Sequence, residues 1–222
     1  MTETTAPQMS DDAGQVDYAA ASRAALVEAL VAAGPGAPTL CEGWQTEHLA
    51  AHIVLRERSP LAAGLLLPPA ADALERKTLE LGNAHATEAS YARLVEQVEQ
   101  GPLGDAPARR GLRSRVRAAA ARLRRTAPAT TVAAHIQLLE FFVHTEDVRR
   151  AQETWAPRIL TDDYADTLFT HLKSRARLLY HGEDTGVRLE RRARGGSVTD
   201  NTVVTVKKPG KDERVLSVAG PA

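Results

Sequence analysis

Apolar residues recur at helical spacing along most of this chain. From Val16 to Ala33, Ala, Leu and Val fall on the period of one helix, and GPGAP (Gly34 to Pro38) ends it. The loop TLCEGW leads to a second predicted helix from Trp44 to Arg58, which Pro60 closes. A third is expected from Ala71 to Leu81 with Gly82 as its C-terminal cap, and a fourth from Thr87 to Gln100 with Gly101 in that role. A strongly apolar helix follows from Thr131 to Gln152, and a last one spans Asp162 to His181. After Gly182 the texture becomes alternating. The runs GVRLERRA, NTVVTVKK and ERVLSVAG, punctuated by Gly195–Gly196 and by Pro209 to Asp212, predict a small β-meander.

The fold class is therefore mainly α: a helical bundle with a small C-terminal β (α+β) appendage. Residues 1–14 read as a disordered tail, 15–182 as the bundle and 183–222 as a short β-rich segment, an incomplete domain by its length. Three short strands bury little by themselves and need another layer. They can dock on the bundle, pair with a second chain in a homodimer, or belong to a longer domain.

Composition narrows the class. Of 222 residues, 43% are hydrophobic, 25% charged and only 4% aromatic, and Ala and Arg are abundant, which suits helices. The formal net charge is zero, so no general attraction to nucleic acid or membrane is expected. Cys41 is the single cysteine, which excludes an intrachain disulfide and fits a reducing, cytoplasmic setting. The N-terminus lacks a basic start and apolar core, so it is no secretory signal. The longest apolar stretch, LAAGLLLPPAADAL, is broken by Pro68 and Pro69 and is too short to span a bilayer. One local bias stands out: Arg109, Arg110, Arg113, Arg115, Arg117, Arg122, Arg124 and Arg125 face a single acid, Asp105. This 109–125 stretch could contact an anionic polymer, but it has no aromatic interleaving and no DNA-binding motif. Nucleic acid is not an expected partner.

The candidate chemistry lies in EFFVH, Glu140 to His144, within IQLLEFFVHTEDVRR. The segment Ile136 to Val143 is apolar on nearly every side, so it should lie buried all round, yet it carries a carboxylate and an imidazole one turn apart. A buried charge needs a partner. Asp147 falls within about twenty degrees of Glu140 on a helical wheel. The second helix, EHLAAHIVLRER, sets His48, His52 and Arg56 on one stripe. Two helices facing each other with His and carboxylate is how bundles build metal centres. Two imidazoles and a carboxylate suit Zn²⁺, Ni²⁺ or Fe²⁺ and leave a coordination position open. Spacing alone leaves two readings: a metal site, or Glu140 hydrogen-bonding a core histidine.

Two stretches, TLCEGWQTEHLAAHIVLRERSP and EFFVHTEDVRRAQ, resemble the mycothiol-dependent maleylpyruvate isomerase N-terminal family within the DinB-like four-helix metalloproteins. The likeness is nearest to an uncharacterised metal-binding subfamily. It implies a DinB-like bundle in which His52, Glu140 and His144 bind a divalent metal, zinc first, with nickel or iron as alternatives. It also implies a small-molecule thiol, mycothiol, or a substrate at the open position, and a thiol-dependent transferase or isomerase; a non-catalytic metal-binding or sensing module is the alternative. His48 stands where the family usually has an acid and is expected beside the site or at the surface. Asp147 is expected to orient His144, Arg56 to hold a carboxylate of substrate or thiol, and Glu146 to be solvated. Cys41 and Trp44 are expected to pack the loop against the bundle.

Overall fold

A computed structural model describes residues 16–58, 68–103, 127–179, 185–192, 202–210 and 214–221. The expected tail, the Arg-rich 109–125 stretch and the Gly195–Gly196 turn lie outside these. Among the described residues, six α-helices precede three strands: α1 (Tyr18–Ala33), α2 (Thr46–Arg58), α3 (Pro68–Asn83), α4 (Glu88–Gln100), α5 (Ala127–Arg150), α6 (Asp162–Leu179), then β1 (Gly186–Arg192), β2 (Thr202–Lys207) and β3 (Val215–Pro221). The chain is mainly α with a small β appendage, as the periodicity predicts.

Local chemistry fixes the helix ends. The Asp17 side chain accepts the backbone N–H of Ala19 and Ala20 and starts α1. Thr87 and Ser90 form a reciprocal capping box at α4. Gly34 and Gly101 stop α1 and α4 with φ of 74° and 67°, a conformation glycine adopts freely.

Helices α1, α2, α4 and α5 share one core, in which Leu26, Leu30, Leu49, Ile53, Leu94, Val98, Phe141 and Val148 are almost completely buried. Arg23 threads into this core from α1. It pairs with Glu57 of α2, donates to the Val98 carbonyl at 2.6 Å and lies over the Phe141 ring. Gln137 of α5 also donates to Glu57, so one polar network joins all four helices.

Gly82 is not a cap. Helix α3 continues to Asn83, and Gly82 is the place where α3 meets α2. A Cβ there would lie 2.4 Å from His48 Cδ2 and 2.9 Å from His48 Cα. The close approach, not helix termination, requires glycine.

The β segment is not a meander. Its strand order is β2-β1-β3, with β1 antiparallel to β2 and parallel to β3. Strand β1 takes the centre and buries Val187 and Leu189 on one face. Helix α6 supplies the second layer: Ala176, Phe169 and Leu172 pack on Val187, Leu189, Val204 and Val206. No helix among the described residues is long and apolar enough to cross a membrane.

Gly82→Ala is expected to destabilise the protein by about 1–3 kcal/mol, because the backbone at His48 must move to admit the methyl group. Chemical unfolding measures this, and an unchanged midpoint would mean that α2 and α3 do not meet here.

Candidate metal centre

The site begins with a folded loop. Residues 39–44 lie within the connection between α1 and α2 and are tied down at both ends. Pro38 and Gln45 form an isolated β-bridge, and the Thr46 N–H donates to the Ala37 carbonyl at 3.0 Å. Thr39 Oγ1 donates to the Trp44 carbonyl at 2.8 Å and accepts the Cys41 N–H at 3.2 Å. The Leu40 N–H donates to the Asp147 carbonyl at 3.1 Å, which fastens the loop to α5. Glu47, buried, accepts the Gly36 N–H at 2.8 Å and so fixes the preceding turn.

Helices α2 and α5 then bring three predicted residues together. One ligand atom from each of His52, Glu140 and His144 lies within 4.8 Å of the other two. The rings of His52 and His144 meet edge to face with centroids 5.4 Å apart. Trp44 walls the other side of His52 at 4.8 Å between centroids, and its indole N–H is held by Glu75 of α3 at 2.9 Å. The side chains of His52, Glu140 and His144 keep 14–16% of their surface, so the group opens to solvent.

Glu140 does not turn to His144. It accepts a two-pronged contact from Arg56, Nε to Oε1 at 2.6 Å and Nη2 to Oε2 at 3.2 Å, and His52 Nε2 lies 3.5 Å from Oε1. Arg56 therefore sits on the expected stripe, but its fork is taken by Glu140 rather than left for a carboxylate of substrate or thiol. His144 turns to Asp147 instead, Nδ1 to Oδ2 at 3.0 Å, the orienting contact expected of that residue.

Three expectations need correction. His48 is neither beside the site nor at the surface. It is buried against Gly82, its Nδ1 accepts the Gln45 N–H at 3.1 Å, and its Nε2 meets Asn83 Oδ1 at 3.0 Å. Glu146 is buried, not solvated: Arg149, Arg150 and Arg158 all pair with it, the last two at 2.7 Å. The EFFVH helix is not buried all round, since Val143 is 51% exposed while Phe141 is 2% exposed.

Sequence reasoning missed two neighbours. Cys41 packs against the core as expected, yet its Sγ also lies 3.4 Å from Asp147 Oδ2 and 4.0 Å from His144 Nδ1. Arg175 of α6 senses the charges of both Glu140 and Arg56. Cys41 reaches α5 through the backbone contact at Leu40, and Arg175 through the packing of α6, and neither leaves a signal in local spacing.

A model of the mycothiol maleylpyruvate isomerase N-terminal domain matches residues 16–158. The chain belongs to that family. The match spans α1 to α5 and the segment after them, including every residue of the His52, Glu140 and His144 group. The family is mycothiol-related and DinB-like in its metal-binding bundle. No curated protein and no solved structure matches the chain.

Within the family's bundle, the electrostatics leave His52 and Glu140 in ligand form. Burial pulls the His52 pKa below its ordinary 6.5, only partly offset by the hydrogen bond to Glu140, so the ring is neutral. Burial by itself would raise the Glu140 pKa. Hydrogen bonds from His52 and Arg56 and the Arg56 charge outweigh it and hold the carboxyl at about 2. Burial and the Arg56 charge depress Arg175 while Glu140 supports it, and a guanidinium stays charged under these conditions. Burial first, then the charge and hydrogen bond of Asp147, push the Cys41 thiol up to about 12, so it is no free nucleophile. A neutral imidazole and an ionised carboxylate are the forms a divalent cation binds. The donor set fits.

The acid stability of the metal-free protein follows from the same shifts. His52 and Glu140 both bind protons more readily in the unfolded chain, so stability falls as pH falls. The His52 contribution starts to go as pH drops through 6.5, and the Glu140 contribution between 4.5 and about 2. Urea unfolding at a series of pH values should show Glu140→Gln with a flatter loss below about pH 4.5 than the parent. Parallel curves would mean that Glu140 is not held ionised by its neighbours.

Proposed function

We propose that this protein is a divalent-metal enzyme of the thiol-dependent transferase or isomerase type, its metal held by His52, Glu140 and His144 and its thiol mycothiol. The observation that carries the reading is the convergence of those three donors from α2 and α5, with His52 held neutral and Glu140 ionised, within the family's matched region. A divalent ion held by these residues would supply Lewis acidity and would favour the thiolate form of a thiol at neutral pH.

The chain's own residues have separate tasks. Glu140 brings one negative charge, and Arg56 aims that carboxylate by gripping both oxygens. Asp147 occupies Nδ1 of His144, which leaves Nε2 as the free nitrogen of that ring. Trp44 closes one wall of the site and limits water around His52. Arg56 and Arg175 together make the surroundings of Glu140 cationic, which favours an anionic substrate or thiol. The partial exposure of all three donors supports an open position rather than a sealed structural ion.

The test removes the neighbouring thiol as a rival ligand. Cys41→Ser protein is expected to purify without an affinity tag carrying about one divalent metal per chain, read by mass spectrometry. Adding His52→Ala should lower that content at least about tenfold and abolish calorimetric binding of mycothiol, with helical content retained. Cys41→Ser protein without metal, or metal undiminished by His52→Ala, would overturn the site. Full metal without mycothiol binding would leave a metal-binding module and overturn the enzyme reading.

A further inference from the structure

We infer that Cys41, His144 and Asp147 form a second cation position, suited to a soft or borderline divalent ion such as Zn²⁺, Co²⁺ or Cd²⁺, at Nδ1 of His144. This goes beyond the function proposed above and does not rest on it.

The geometry points to it. The three donor atoms form a closed triangle with edges of 3.0 Å (Nδ1 to Oδ2), 3.4 Å (Sγ to Oδ2) and 4.0 Å (Sγ to Nδ1). Three donors of a tetrahedral zinc ion, at its ordinary Zn–S, Zn–N and Zn–O lengths, sit roughly 3.3–3.6 Å apart. Each edge here is within about 0.5 Å of that, so the ion fits without rearrangement of the backbone. Thiolate, imidazole and carboxylate is also a chemically coherent set for such ions.

The position is built, not an accident of surface side chains. His144 and Asp147 stand one turn apart on α5 and keep 15% and 18% of their side-chain surface. Cys41 is half-buried and held by two backbone anchors, its own N–H on Thr39 Oγ1 and the Leu40 N–H on the Asp147 carbonyl. The same residue, Asp147, thus receives the loop through its backbone and the thiol through its side chain. The remaining exposure leaves a fourth direction for water.

Without the ion, protons fill the position: Asp147 accepts the thiol hydrogen and shares one with Nδ1. Binding replaces them. The thiol proton leaves for solvent as the metal–sulfur bond forms, and the Nδ1 proton moves to Nε2, with no change of oxidation state. A neutral imidazole bound at Nδ1 carries its one proton on Nε2, so filling this position would take Nε2 out of use as a ligand. The two positions compete through one imidazole.

Cobalt distinguishes them, since only a thiolate ligand gives an intense near-ultraviolet sulfur-to-cobalt band. His52→Ala protein titrated with Co²⁺ is expected to develop that band to about one equivalent, and His52→Ala/Cys41→Ser to lack it. Glu140→Gln, close in shape to the parent, serves instead if His52→Ala does not keep its helical circular dichroism. A folded single variant that takes up no thiolate-bound cobalt would overturn the inference. That result is independent of the His52-dependent metal measured in the Cys41→Ser background, so either site can fail alone.

Discussion

Glu140 is an ionised carboxylate on a helix whose neighbouring residues form the core of the bundle, and the arrangement around it follows from keeping it so. An unpaired charge in that setting costs several kcal/mol. Arg56 meets it with both prongs of its guanidinium and His52 approaches from the turn before, so two residues of α2 serve one residue of α5. This fixes the rotation of α2 against α5. With that rotation set, His52 necessarily faces His144. The ion pair thereby places the second and third donors, and the candidate metal centre is a consequence of satisfying the first.

A second constraint acts from the loop. The bundle could pack its helices without bringing residues 39–44 to α5, but the Leu40 contact to the Asp147 carbonyl does bring them there. Trp44 then flanks His52, while Cys41 reaches the Asp147 side of His144. One imidazole is approached by two sets of donors of different softness. The carboxylate and imidazole set lies beside Arg56 and Arg175, whereas the thiol set gathers around Asp147.

Much of this was legible in the sequence. Helical periodicity located all six helices to within a few residues, because a strong period needs no tertiary information. The group His52, Glu140 and His144 was legible in another way: the spacing of four put Glu140 beside His144 and His48 beside His52, and the family likeness singled out the three. What failed to show depended on contacts between elements. His48 has the same spacing from His52 as Glu140 has from His144, yet the approach of Gly82 turns it toward α3. Glu146 looked solvated on a wheel, but Arg158 returns from beyond the helix to bury it. The strand order escaped because alternation marks strands and says nothing about which lies in the middle.

The division of labour in the fold bears on how the centre can work. The polar network of Arg23, Glu57 and Gln137 ties the four core helices together, while the Glu140 network joins α2 to α5 a turn further along α5. Helix α6 approaches the latter with Arg175 while its other contacts bind the sheet through Ala176 and Leu172. Arg175 and Ala176 are adjacent in sequence, so the helix that covers the sheet also carries the guanidinium that feels the charge of Glu140. An open metal centre would need its donor geometry held while a ligand is admitted and released, and the double grip of Arg56 on Glu140 meets the first of these needs.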